Sequence, residues 1–339
     1  MLNRILATGL IALAPLTARA DLVVLQYHHI SEQTPASTST TPELFRSHLA
    51  RIGELGLEVV PLESATRAAL DGTLNDQEQV AITFDDAYAS VWSTAAPLLD
   101  ELGLPYTIFV NTEAVGREGY MTWAQLKEAR ARTGVTIANH SHDHGHLARR
   151  PDESQQAWHR RASDSLDRAK AILDDRLGDT ATLFAYPYGE YDSALEEMLD
   201  ERNWLAYGQQ SGPIGEGSDE SRLPRFPMAT PFGQLSSLND KLRSRALPVD
   251  TGSLPDGIID DNPPTLILEL PEDLRPGALT CFGSGQGRLP LEAEHQAVTV
   301  QAPEPFGNRR FRYNCTYPAG EGRYYWFSQQ WVDLSRPED

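Results

Sequence analysis

Gln79-Val80-Ala81-Ile82-Thr83-Phe84-Asp85-Asp86 begins as an apolar run and closes on two carboxylates. The run predicts a buried strand over residues 79–84. Adjacent side chains at a strand end point to opposite sides of the backbone, so one carboxylate is placed to bind a metal while the other handles protons. Outward from this strand the same pattern repeats. Apolar runs at 22–27, 58–62, 105–110, 135–139, 183–188 and 204–209 read as further strands. Between them lie helical stretches at 42–55, 64–70, 90–102, 123–130, 152–177 and 193–202, the first with Thr41 as N-cap and Pro42 in its first turn. Strand–helix alternation of this kind predicts a mostly parallel sheet or barrel covered by helices. In such folds the chemistry gathers at the C-terminal ends of the strands.

The chain has 339 residues, with 29 basic against 48 acidic side chains and a formal net charge of -19. That surface repels phosphate backbones, which argues against a nucleic-acid partner. Residues 1–20 read as a secretory signal: Arg4, an apolar stretch from Ile5 to Leu16, then Ala18-Arg19-Ala20 as a cleavage site. The apolar stretch is too short to stay in a bilayer as a spanning helix, and no other segment is long enough. The expectation is an exported, soluble protein, periplasmic or secreted. Cys281 and Cys315, the only cysteines, are expected to pair in that compartment.

Three further segments carry chemistry. Asn139-His140-Ser141-His142-Asp143-His144-Gly145-His146 follows the 135–139 run and holds four of the chain's nine histidines. His140 and His144 are four apart, so one helical turn brings both imidazoles to one side. Neutral imidazole is a favoured ligand of zinc and its neighbours; His142 and His146 remain open as further ligands. Leu183-Phe184-Ala185-Tyr186-Pro187-Tyr188-Gly189 is an aromatic strand stopped by Pro and Gly. Tyr27-His28-His29-Ile30 ends the first strand and should aim one histidine into a barrel mouth.

Together Thr83–Tyr88, His140–His144 and Phe184–Gly189 resemble the first three motifs of the polysaccharide deacetylases, carbohydrate esterase family 4 with the NodB-homology fold. Tyr-His-His-Ile and the motif order resemble the branch acting on poly-N-acetylglucosamine. The resemblance spans roughly residues 22–230. It implies a distorted (β/α)7 barrel. It implies Asp86, His140 and His144 as metal ligands, Asp85 as catalytic base and His28 as general acid. Ser141 would brace the histidine loop, and the Tyr188 backbone N–H would help hold an oxyanion. The implied cofactor is a divalent metal, zinc first, with cobalt or nickel as alternatives. The chain departs from the family at Ala185, where an arginine usually orients the base; Arg225, in Leu223-Pro224-Arg225-Phe226-Pro227, is the candidate replacement.

Beyond residue 210 the chain turns rich in Gly, Pro, Ser and Asp, and then shows short β-like runs at 265–270, 297–301, 309–317 and 323–332. The expected organisation is a signal at 1–20, a deacetylase domain at 21–246, a linker at 247–264 and a small sandwich-like β domain at 265–339. Aromatic residues crowd into its last strands; alternate positions should be core and the rest available to stack on sugars. The expected activity is metal-dependent de-N-acetylation of an N-acetylglucosamine polysaccharide. An O-acetyl esterase acting on xylan or another polymer is one alternative, and a non-catalytic polysaccharide-binding or assembly protein is the other. The expected partners are the acetylated polymer and, as candidate, polysaccharide export machinery.

Overall fold

The computed structural model describes residues 21–75 and 77–338; the signal-like residues 1–20 lie outside them. A parallel sheet runs Phe226–Pro227, Leu22–Tyr27, Gln79–Phe84, Tyr106–Val110, Val135–Asn139, Leu183–Ala185, Leu205–Tyr207 in spatial order. Every residue of the Leu22–Tyr27, Gln79–Phe84 and Tyr106–Val110 strands is buried. Burial on both faces is what near-continuous apolar runs demand: one face lines the sheet's interior and the other packs under helices.

The sheet curls until its edges almost meet. Leu223 bridges Tyr207 at one edge, and three residues later Phe226 pairs with Leu25 at the other. The seven strands on this path are therefore not the seven read from the sequence. Glu58–Val59 is a two-residue strand off the path, beside the start of Gln79–Phe84. The Leu22–Tyr27 strand fills one whole edge of Gln79–Phe84, so Glu58–Val59 and Tyr106–Val110 share the other, pairing at opposite ends. Its place on the path is taken by Phe226–Pro227, inside the Gly- and Pro-rich stretch. Pro224 and Pro227 cannot donate to a ladder, which is why this segment does not read as a strand.

Helices Pro42–Glu54, Leu62–Leu70, Trp123–Arg130, Gln155–Leu177 and Ser193–Asp200 cover the sheet. Thr41 caps the first through Leu44 N–H, as expected. The stretch after the paired aspartates opens with one π-helical turn, Val91–Ala95, before the α-helix Ala96–Glu101. No described helix is long and apolar enough to cross a membrane.

The C-terminal region is all β. One sheet runs Arg245–Ala246, Arg323–Val332, Arg310–Gly320, Thr280–Gly283, Gly287–Arg288; a second runs Thr265–Glu269, Ala297–Gln301, Leu291–Glu294. Between them Leu266, Leu268, Val298, Val300, Phe311, Tyr313, Phe327 and Trp331 form one core, which Leu247 and Val249 join. Cys281 and Cys315 are direct cross-strand partners and are joined by a disulfide. The last six residues of Arg323–Val332 are buried without alternation. The second face of this strand lies against the barrel, where Trp326, just before those six, meets Phe226 edge-to-face at 5.2 Å. Of the aromatic residues in the two long strands, Tyr324 is the exposed one.

Candidate active site

The parallel strands deliver their polar residues to one end of the sheet. Directly after Gln79–Phe84 the backbone turns sharply, with Asp86 and Ala87 in the left-handed region (φ 71° and 54°). This sends the two carboxylates apart: Asp86 toward the histidine loop, Asp85 toward the opposite wall.

Asp86 Oδ1 lies 3.5 Å from His140 Nε2 and 3.2 Å from His144 Nε2. Asn111, the first residue beyond Tyr106–Val110, donates to the same oxygen at 3.1 Å. His140 is fully buried, and its Nδ1 lies 2.7 Å from the Ala185 carbonyl. A carbonyl only accepts, so Nδ1 carries the proton, and in a neutral ring the Nε2 lone pair faces Asp86 and His144. That Nε2 has no hydrogen-bond partner. One ligand atom from each of Asp86, His140 and His144 falls within 4.8 Å of the others. A buried orphan lone pair beside a carboxylate and a second imidazole is a donor set that fits a divalent transition metal. Burial opposes ionisation of Asp86, yet the His140 and His144 imidazoles beside it hold it well below the usual carboxylate range.

The loop reaches this shape through left-handed backbone at Ser141 (φ 67°) and His144 (φ 53°). Ser141 N–H donates to Asn139 Oδ1 at 2.8 Å, and Ser141 Oγ accepts from His144 N–H at 3.0 Å. The other two histidines face elsewhere. His142 Nδ1 pairs with Thr112 Oγ1 at 2.8 Å, and His146 Nδ1 with Glu190 Oε2 at 2.8 Å.

Asp85 is fully buried, and Arg225, also fully buried, grips both its oxygens at 2.7 and 2.8 Å. The guanidinium is itself fixed by the Gly208 carbonyl at 2.9 Å and Thr83 Oγ1 at 3.2 Å. Gln26 Nε2 donates to Asp85 Oδ2 at 2.6 Å. Burial pushes the Asp85 carboxyl up, but Arg225 and the His140 and His28 imidazoles outweigh it and hold it at about 2. His28 Nε2 stands 4.0 Å from Asp85 Oδ2, and burial keeps its imidazole below the ordinary histidine value. His29 instead stacks on Tyr88 at 3.5 Å.

Tyr188 follows Leu183–Ala185 with left-handed backbone (φ 59°); its ring is parallel to that of His146 at 4.0 Å and edge-on to that of His144 at 4.7 Å. The sequence reading missed Gln26, Asn111 and Glu190. Gln26 and Asn111 sit at strand ends, where the C-terminal-end rule would have found them. Glu190 is fully buried and bonded to His146, Arg309 and Arg310.

Residues 73–203 match the family model of the polysaccharide deacetylases. The chain carries a polysaccharide deacetylase domain. Members of that family are amide-bond hydrolases. A Bacillus subtilis relative described as a polysaccharide deacetylase, YxkH, is 29% identical over 203 residues, covering 60% of this chain and 67% of the relative. The poly-beta-1,6-N-acetyl-D-glucosamine N-deacetylase of Staphylococcus epidermidis is 23% identical, covering 60% of this chain and 78% of the relative. The Escherichia coli K12 protein of that name is 20% identical over 71% of this chain and only 42% of its own length. Among solved structures, IcaB from Ammonifex degensii has a TM-score of 0.56 at 24% identity, covering 66% of this chain and 96% of its own. A de-N-acetylase from Aggregatibacter actinomycetemcomitans reaches 0.58 at 17% identity, covering 65% and 99%. These structural likenesses establish the fold of the deacetylase domain.

Proposed function

We propose that this protein removes acetyl groups from the amide nitrogens of an N-acetylglucosamine polysaccharide, using water activated at Asp86, His140 and His144. The observation that carries this reading is the adjacency of that donor set to an arginine-clamped carboxylate and a histidine. Asp86, His140 and His144 would hold a divalent metal, zinc first among the candidates, which would supply the acidity of the bound water and polarise the acetyl carbonyl. Asp85, fixed in direction by Arg225 and Gln26, accepts the proton of the attacking water. The Tyr188 backbone N–H helps hold negative charge developing on the carbonyl oxygen. An amine leaves poorly unless protonated, and we assign that delivery to His28, whose Nε2 lies 4.0 Å from Asp85 Oδ2 and would take up the proton that Asp85 receives from water. The poly-N-acetylglucosamine substrate follows the named relatives. Action outside the cytoplasm is supported by the signal-like residues 1–20 and by the Cys281–Cys315 disulfide.

The test is amine release from β-1,6- and β-1,4-linked N-acetylglucosamine oligomers, with zinc or cobalt and with or without chelator. Release should require metal and disappear in Asp85→Asn. His28→Ala should lose about 100-fold on the amide yet keep most hydrolysis of an activated acetyl ester, whose leaving group needs no proton. No release from either polymer by metal-loaded protein would overturn the reading in favour of O-acetyl substrates.

A further inference from the structure

The C-terminal sheets lie outside the residues matched by the family model, yet they reach the active site. Tyr188, Gly189 and Glu190 are three consecutive residues, and each is engaged from there. The Arg310 guanidinium stands 5.3 Å from the Tyr188 ring centroid. Gln330 donates to the Gly189 carbonyl. Arg309 grips both oxygens of Glu190 at 2.8 and 3.0 Å, and Arg310 adds a third bond at 2.9 Å.

This turn needs outside support. Tyr188 and Gly189 both have left-handed backbone (φ 59° and 67°), which a residue bearing a ring keeps only when its surroundings over-determine it. Local bonds close the turn, from Gly189 N–H to the Tyr186 carbonyl at 2.9 Å and from Glu190 N–H to the Pro187 carbonyl at 3.2 Å. The tertiary contacts bracket it. His146 lies parallel to the Tyr188 ring and pairs with Glu190, and Arg310 touches the same ring and the same carboxylate. Glu190 is fully buried, so its charge is tolerable only with these cations in place.

We propose that the C-terminal sheet is a working part of the active site, with Arg310 as a positioning residue that holds the Tyr188 turn in its catalytic conformation. Arg309 and Gln330 support the same turn. The inference rests on the reading above in which the Tyr188 N–H holds the oxyanion.

Kinetics of Arg310→Ala and Arg310→Lys in the full chain test it, alongside zinc affinity, melting temperature and inhibition by a methylphosphonamidate analogue of the tetrahedral state. Arg310→Ala should lose 10- to 100-fold in kcat, with KM and zinc affinity within threefold of the parent. Its inhibition constant for the analogue should rise by the factor lost in kcat/KM. Arg310→Lys, which keeps a cation for Glu190, should recover most of the loss. A folded Arg310→Ala protein with kcat within twofold of the parent overturns the proposal, as does zinc affinity falling in step with activity. Should Arg310→Ala not fold, Gln330→Ala, which removes the Gly189 bond and the Arg312 bond to Gln330 Oε1 but leaves both Glu190 arginines in place, must show the same split or the proposal fails. An inactive parent protein would instead point to failure of the deacetylase reading itself.

Discussion

Arg225 and Asp85 form a fully buried ion pair in which each charge is the other's principal compensation. Truncating one partner strands the other in a low-dielectric interior, which costs about 3–5 kcal/mol. Arg225→Ala should therefore be destabilised by that amount in urea unfolding and lose at least about 100-fold in deacetylation, since Asp85 loses both its direction and its counter-charge. The double variant Arg225→Ala/Asp85→Asn separates the two effects: it should regain most of the stability and none of the activity. A double variant as unstable as the single would place the defect in packing rather than charge. The paired aspartates and the histidine run are contiguous, so their chemistry is legible from residue order. The clamp is not written in local order, because its partners are 140 residues apart; only the missing family arginine at Ala185 nominated Arg225 for it.

At the scale of elements, the sharp turns after the strands carry the geometry. Pro187–Gly189 is a tight turn with left-handed backbone at Tyr188 and Gly189, one residue after a three-residue strand. Gly189 has φ 67°, and a Cβ there would fall 2.8 Å from Gln209 Cβ and Cγ and 3.1 Å from Gln209 N. Strain and overlap act together, so Gly189→Ala should cost about 1–3 kcal/mol. It should also lower kcat more than KM, because the displaced residue is next to Tyr188. Unchanged unfolding and kinetics would show that the turn shifts freely. The sequence reading extended this strand to residue 188; Pro187 ends it by withholding a ladder donor. The strand at Phe226–Pro227 escaped notice for the same reason.

Across the whole molecule, Glu190 joins the barrel to the C-terminal sheet and links stability to pH. Burial raises its carboxyl, but hydrogen bonds from His146, Arg309 and Arg310 overcome this and hold it at about 2, against 4.5 for an ordinary glutamate. A carboxyl depressed on folding adds stability that is complete above about pH 4.5 and is lost as pH falls through about 2. The size is up to about 3 kcal/mol. Glu190→Gln should therefore unfold more easily than the parent at pH 7, with the gap closing as pH is lowered toward 2. A gap independent of pH would mean that the side chain stabilises by shape alone.

By itself the sequence determined the strand–helix alternation, the placing of polar residues at strand ends and the family resemblance. Each is written in local order: a period, a terminator, a spacing of four. The residues alone left His142 and His146 open and the resemblance implied His140 and His144; the tertiary structure turns the latter pair toward Asp86, because left-handed backbone at Ser141 and His144 sets the loop. It also decided that Arg225 reaches Asp85, and that arginines 119 and 120 residues beyond Glu190 brace the Tyr188 turn. Those contacts depend on how the sheet closes and where the C-terminal strands dock. Long-range packing sets both, and no local pattern records it.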